Sequence, residues 1–426
     1  MKAAQAQPAS LRSASAHRES PAEIFHALGE AIEAAWARKH FDERAFIDLA
    51  TTMLAEARLH ERTSGDEILE WFVRAPALPS QKADDSFGEP PLLMYQGRRF
   101  FIQVLYWLDG TTSIHEHGFS GAFGVLQGSS IESTFSFDLE ERVSSRVLLG
   151  RLGLKGVEYL RPGDVRPIEG ALGDPHSLFH LDRPSVSVVV RTYQDPDAQP
   201  QYRYMQPGIA IDPFHSDPIL DRKVQLLRVL HRSDDARYDA LAASLAESGD
   251  FQLVFRVLEQ AYAVYSGDDR FAALLAVARR NLGPLAEWIV PALDENRRQA
   301  HLVDLRAKYR EADERFFLAL LLNVPTADAM KDIIRHRHPG DDPDTLIERW
   351  LRRLSSEGEV LGLAFDDMTV AMYRHAARGA SLPEILENLN GDAAAGGFTL
   401  SIARVASQYN KLMSSRVLGP LLTRSA

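Results

Sequence analysis

Residues 110–128, GTTSIHEHGFSGAFGVLQG, carry the reading on which the rest of the chain depends. Successive side chains of an extended strand point to opposite faces, so His115 and His117 share one face and Glu116 takes the other. Two imidazoles on one face stand close enough to grip a single ion. The apolar residues around them, bounded by glycines, place the pair within a β segment. A third imidazole must come from another strand, and GDVRPIEGALGDPHSLFH offers His176 and His180. Structural or solvent-facing histidines are the alternative for His115 and His117, and for His180 a hydrogen bond to a ligand from behind or a plain loop position is the expected reading.

Outward from this stretch, residues 98–193 read as short β-branched and aromatic runs punctuated by Gly and Pro. RRFFIQVLYWL, GAFGVLQG, SIESTFSF, RVLLGRLGL and VSVVVRTY are five such runs. Most are too closely spaced for a crossover helix, which predicts antiparallel sheets closed into a sandwich or barrel. Helical periodicity flanks this region on both sides. PAEIFHALGEAIEAAWARKH spaces Ile24, Phe25, Leu28, Ile32 and Trp36 as on a helix face, and from about residue 217 onward amphipathic helices follow one another without a fixed repeat. The expected organisation is a disordered tail over 1–20, a helical segment and linker over 21–91, a metal-binding β-barrel over 92–205 and an α-helical domain over 214–426. The fold class is therefore α+β and multidomain, with a central antiparallel barrel.

The chain has 426 residues, 45% of them hydrophobic and 25% charged, and it contains no cysteine. That excludes disulfides, thiolate-ligated zinc, iron–sulfur clusters and a cysteine nucleophile, so a metal must be held by His, Asp or Glu. A formal charge of −11 repels nucleic acid and anionic lipid surfaces. No apolar run of about 18 residues is present to span a membrane. The N-terminus lacks the apolar core of a secretory signal, which points to a cytoplasmic protein, although its Arg, Ser and Ala content also fits a transit peptide.

On these residues the chain resembles the cupin superfamily. A glycine, HxH and a closing glycine resemble the first cupin motif, and GDVRPIEG resembles the start of the second. More narrowly, SIHEHGFSGAFGVLQGSSIESTF is similar to the metal-binding segment of the cysteine dioxygenase-like, or thiol dioxygenase, family. DPHSLFHLDRPSVSVVVRTYQDP is similar to that family's third-histidine segment, with Tyr193 seventeen positions beyond His176. The resemblance covers about residues 100–196. It implies a cupin-type β-barrel, His115, His117 and His176 as metal ligands, with His180 as the substitute third ligand, and Tyr193 as an active-site phenol. It implies Fe(II) as the metal, with Mn, Ni, Zn or Cu accepted on similar ligands.

The departures from the family pattern are specific. Many cupins supply a carboxylate ligand four or five positions after the second histidine; here those positions are Gly121 and Ala122. The cysteine that some relatives cross-link to the tyrosine also corresponds to Ala122. The family's Ser–His–Tyr relay would fall on Val189, Arg191 and Tyr193, and its substrate-gripping arginine near Pro90. Arg191, two residues from Tyr193, becomes the expected anion clamp, and Tyr193 the expected hydrogen-bond donor to substrate or oxygen.

The resemblance thus implies a non-haem Fe(II) dioxygenase acting with dioxygen on a small chelating thiol or carboxylate. A cupin isomerase or lyase and a non-enzymatic metal or small-molecule sensor are the alternatives. Arg98 and Arg99 read as solubilising charges at a strand start. RHRHPGDD, with His336 and His338, reads as a helix end. FFLALLLNV reads as core, or alternatively as a homo-oligomer interface in the helical domain.

Overall fold

The computed structural model describes residues 19–81, 87–108, 113–170, 173–195, 200–215, 217–356, 361–396 and 401–423. The tail expected at 1–20 lies almost wholly outside the described residues. Four helices come first: α1 (Pro21–Arg38), α2 (Arg44–Glu56), α3 (Leu59–Arg62) and α4 (Gly65–Arg74). Ser20 with Glu23, and Ser64 with Glu67, form reciprocal capping boxes that satisfy the first free backbone N–H groups of α1 and α4.

The strands that follow are β1 (Pro91–Gln96), β2 (Phe100–Trp107), β3 (Ile114–His115), β4 (Ser120–Gln127), β5 (Ser130–Arg142) and β6 (Val147–Leu160). They continue as β7 (Val165–Glu169), β8 (His176–His180), β9 (Ser185–Thr192), β10 (Arg203–Met205) and β11 (Ile209–Ile211). They form a five-stranded sheet, in the order β1-β2-β9-β4-β7, and a closed ring, in the order β10-β11-β6-β5-β8-β3; the pairings are antiparallel. This is the closed antiparallel barrel with flanking helices that the sequence predicts. The strands run on to Ile211, beyond the expected limit at 205, because β10 and β11 close the ring between β3 and β6.

The helices are not appendages to the barrel. Leu28, Ile32 and Trp36 of α1 and Phe46 and Leu54 of α2 share a core with Ile102 and Val104 of β2 and Val186, Val188 and Val190 of β9. β2 is consequently buried at every position, which explains why it reads as an apolar run broken only by Gln103. After residue 217 the helices build two cores where one domain was expected. One core joins Val224, Val254 and Leu258 to Val147, Leu149 and Ile209 of the ring. The other joins Phe317, Leu321 and Trp350 to Ile131 of β5 and Phe179 of β8. The helix Ile289–Lys308 gives Leu293 to the first and Leu302 to the second, and so ties them together. The FFLALLLNV run is interior, with Phe317 through Leu321 inaccessible to solvent. Among the described residues no helix is long and apolar enough to cross a membrane.

Close approach of two strands sets one position tightly. Gly121 of β4 opposes Arg191 of β9, and a Cβ at residue 121 would sit 2.0 Å from the Val190 carbonyl oxygen. Gly121→Ala should therefore cost about 1–3 kcal/mol, as overpacked cores do, read as a lower urea midpoint. Unchanged stability would contradict the β4–β9 register.

Candidate metal centre

The cluster is built by strand register. His115 ends β3 and His176 begins β8, and the two residues are direct partners across the antiparallel ladder, so their side chains leave the same face. His117 lies two residues beyond β3, just before the bend at 118–119 that leads into β4. The ring centroids are 4.7 Å apart for His115 and His117, and 5.0 Å apart for each of these with His176. One ring nitrogen of each lies within 4.8 Å of those of the other two.

Hydrogen bonds determine which nitrogens face inward. A carbonyl oxygen only accepts, so the 2.7 Å contact between His115 Nδ1 and the Ser113 carbonyl places the proton on Nδ1 and leaves Nε2 with its lone pair. His176 Nδ1 lies 2.9 Å from the Glu132 carboxylate, with the same result. His115 Nε2 is buried without a hydrogen-bond partner, and so is His117 Nδ1. Burial, reinforced by the neighbouring His176, pushes His115 down to about 4. Burial first, then His115, His176 and Arg191, holds His117 well below the ordinary histidine range. All of this keeps His115 and His117 neutral near pH 7, as metal ligands must be.

The spacing fits an ion. His117 Nε2 and His176 Nε2 are 2.8 Å apart. Nitrogens bound at about 2.0–2.1 Å are about 3 Å apart when they meet the ion at a right angle and about 3.4 Å apart in a tetrahedron. The observed separation is short enough for both nitrogens to meet one ion. A carboxylate four or five positions after His117 has no place in this fold. Residue 121 has no room for a side chain, and Ala122 is fully buried in the core shared with the N-terminal helices.

The three imidazoles line a cavity of about 40 Å³ between the two sheets, walled by Phe87, Leu105, Trp107, Phe119, Phe123 and Leu178, among others. Arg191 also lines it. Its guanidinium carbon lies 3.4 Å from the Phe119 ring centroid and 5.0 Å from that of Phe101, an arrangement that holds a cation against two aromatic faces. Tyr193 is not brought to the cavity. β9 ends at Thr192, so strand alternation no longer directs residue 193; its ring rests on Phe101 and its hydroxyl donates to the Gly97 carbonyl at 2.9 Å. His180 shares the face of His176, but four residues of strand separate the two by about 13 Å. It pairs with Ser130 through Nδ1 at 3.0 Å and stacks on Trp107.

Glu132 was missed, although its alternation with Ile131 and Ser133 in SIESTF marks it as belonging to one face of a strand. Arg99 packs over Phe41, as a flanking residue would. His336 bonds the Asp332 carbonyl of its own helix, and His338 lies against Phe316 and Trp350. Among the described residues, neither joins a group able to hold a metal ion.

The sequence matches no protein-family model and no curated protein. Among solved structures it is similar to a hydroquinone 1,2-dioxygenase in complex with Cd2+ and 4-hydroxybenzonitrile, at 14% identity and a TM-score of 0.19, over 25% of this chain and 64% of that one. It is also similar to a DMSP lyase from Ruegeria pomeroyi DSS-3, at 16% identity and a TM-score of 0.23, over 41% of this chain and 93% of that one. A third is a cupin-superfamily sugar phosphate isomerase from Silicibacter pomeroyi DSS-3, at 16% identity and a TM-score of 0.19, over 28% and 73%. The chain thus spans less than two thirds of the first of these.

The buried imidazoles predict an acid-sensitive fold. Unfolded histidines take up protons near pH 6.5, whereas His115 resists until about 4 and His180, pushed down by burial, until about 3. Between these values the unfolded state binds more protons, so stability is full above about pH 6.5 and falls as the pH drops toward 4. Urea denaturation of the metal-free protein from pH 8 to 4 should show this decline, and His180→Phe should make it shallower. A pH-independent midpoint would contradict burial of the neutral rings.

Proposed function

We propose that this chain is a non-haem Fe(II)-dependent dioxygenase of the cupin type, acting on a small chelating thiol or carboxylate. The reading rests chiefly on one observation: three converging imidazoles in a mostly apolar cavity, with no carboxylate among the residues that line it and a guanidinium in the same wall. A ferrous ion held there would supply Lewis acidity and one-electron chemistry toward dioxygen.

The chain's own residues define the rest. His115, His117 and His176 contribute no negative charge of their own, so an anionic substrate would meet a centre that its direct ligands leave positive. Arg191, fixed against Phe119 and Phe101, adds a second attraction for a carboxylate and gives the substrate a direction in the cavity. The aromatic and aliphatic wall excludes water, which strengthens both attractions. A cavity of about 40 Å³ restricts the occupant to a compact molecule. Tyr193, with its hydroxyl on the Gly97 carbonyl, has no part in this account.

Anaerobic reconstitution with Fe(II) should give one tightly bound ion per chain, abolished by His115→Ala. Nitric oxide added with candidate thiols and small carboxylates should give an electron paramagnetic resonance signal altered by the true substrate, and that substrate should drive oxygen uptake. Turnover without oxygen uptake would replace this reading with a Lewis-acid isomerase or lyase, and metal binding without turnover would replace it with a sensor. Arg191→Met should raise the apparent KM about 10- to 100-fold, the worth of a hydrogen bond to a charged group. Unchanged binding would remove Arg191 from its role.

A further inference from the structure

Behind His176, on the side away from the cluster, stands a buried carboxylate. Glu132 is 6% exposed and lies on β5, where it opposes Leu178 of β8; His176 opposes Thr134, so Glu132 is its diagonal neighbour on the same face. One Glu132 oxygen lies 2.9 Å from His176 Nδ1, and the other lies 3.7 Å from Arg166 Nε. Arg166 is bound in turn by Glu158 of β6. A chain of alternating charge thus runs from His176 through Glu132 and Arg166 to Glu158, linking the closed ring to β7 of the other sheet.

The three histidines differ in what stands behind them. His115 Nδ1 has a backbone carbonyl, and His117 Nδ1 is buried with no hydrogen-bond partner among the described residues. His176 alone among them has a carboxylate. Burying a carboxylate is costly unless it is well paired, and the imidazole and the guanidinium provide that pairing here. A hydrogen bond to an anion fixes the imidazole tautomer, locks the ring plane and makes the opposite nitrogen a stronger donor.

We propose that Glu132, steadied by Arg166, is the positioning residue of the metal centre: it holds His176 with its proton on Nδ1 and Nε2 turned to the ion, and supplies a negative charge one hydrogen bond from the metal. This rests on the metal reading above. Glu132→Gln keeps the shape and an acceptor but removes the charge, whereas Glu132→Ala removes both.

The test uses the full chain stripped of metal, titrated with Co(II) against a chromogenic chelator, together with nitrogen-15 NMR of the histidine rings in the metal-free state. Glu132→Gln should weaken Co(II) binding about 10-fold and Glu132→Ala up to about 100-fold, the range usual for residues behind a ligand. His176 should carry its proton on Nδ1 in the wild type, which the NMR reads even if the alanine variant fails to fold. Wild-type affinity in both variants, or a His176 proton on Nε2 in the wild type, would overturn the role of Glu132 while leaving the metal centre intact. A wild type that binds neither Co(II) nor Fe(II) would overturn both.

Discussion

The antiparallel pairing of β3 with β8, which sets His115 directly opposite His176, is the constraint on which this architecture turns. β3 is two residues long and has little strength of its own. It is held because β10 pairs with its other edge and β11 continues the ring to β6. The helical core that packs against Val147, Leu149 and Ile209 in turn holds β6 and β11 in place. A one-residue slip would send His115 out of the cavity and bring Ile114 into it. The helices after residue 217 therefore have a physical connection to the site: they keep closed the ring on which the imidazoles depend.

The second organising feature is charge. Rings pushed toward neutrality by burial, a guanidinium pinned between aromatic faces and a carboxylate behind one ring are, on the proposed function, what a site for a cation and an anion together would need. Each part is expensive to bury alone. His115 and His117 are costly only if protonated, Glu132 is paired on both oxygens, and Arg191 lies against ring faces. Burial favours the neutral rings of His115 and His117, which is also the state in which they could bind a metal.

Much of this was legible in the sequence, for identifiable reasons. His115, His117 and His176 could be picked out because an HxH in an apolar β segment and a later histidine on another strand have few packing explanations. The absence of a carboxylate ligand was equally visible at Gly121 and Ala122, and the approach of the Val190 carbonyl supplies its cause. Glu132 was not legible because β5 inverts the usual polarity. Its apolar Ile131 faces outward onto the helical core, while Ser130 and Glu132 face into the barrel, so an alternation that normally marks a solvent face marks the interior. Tyr193 was misplaced because spacing alone does not reveal that β9 stops at Thr192. The two helical cores were hidden because the helix Ile289–Lys308 serves both with a single apolar pattern.

The central claim is that His115, His117 and His176 together bind one metal ion through neutral imidazoles. X-ray absorption at the metal edge of the Fe(II)-loaded protein tests it most directly. The account predicts a light-atom shell near 2.0–2.2 Å whose multiple-scattering pattern fits three imidazoles, falling to two in His176→Ala. A shell dominated by carboxylate oxygens, or one unchanged by that substitution, would contradict it.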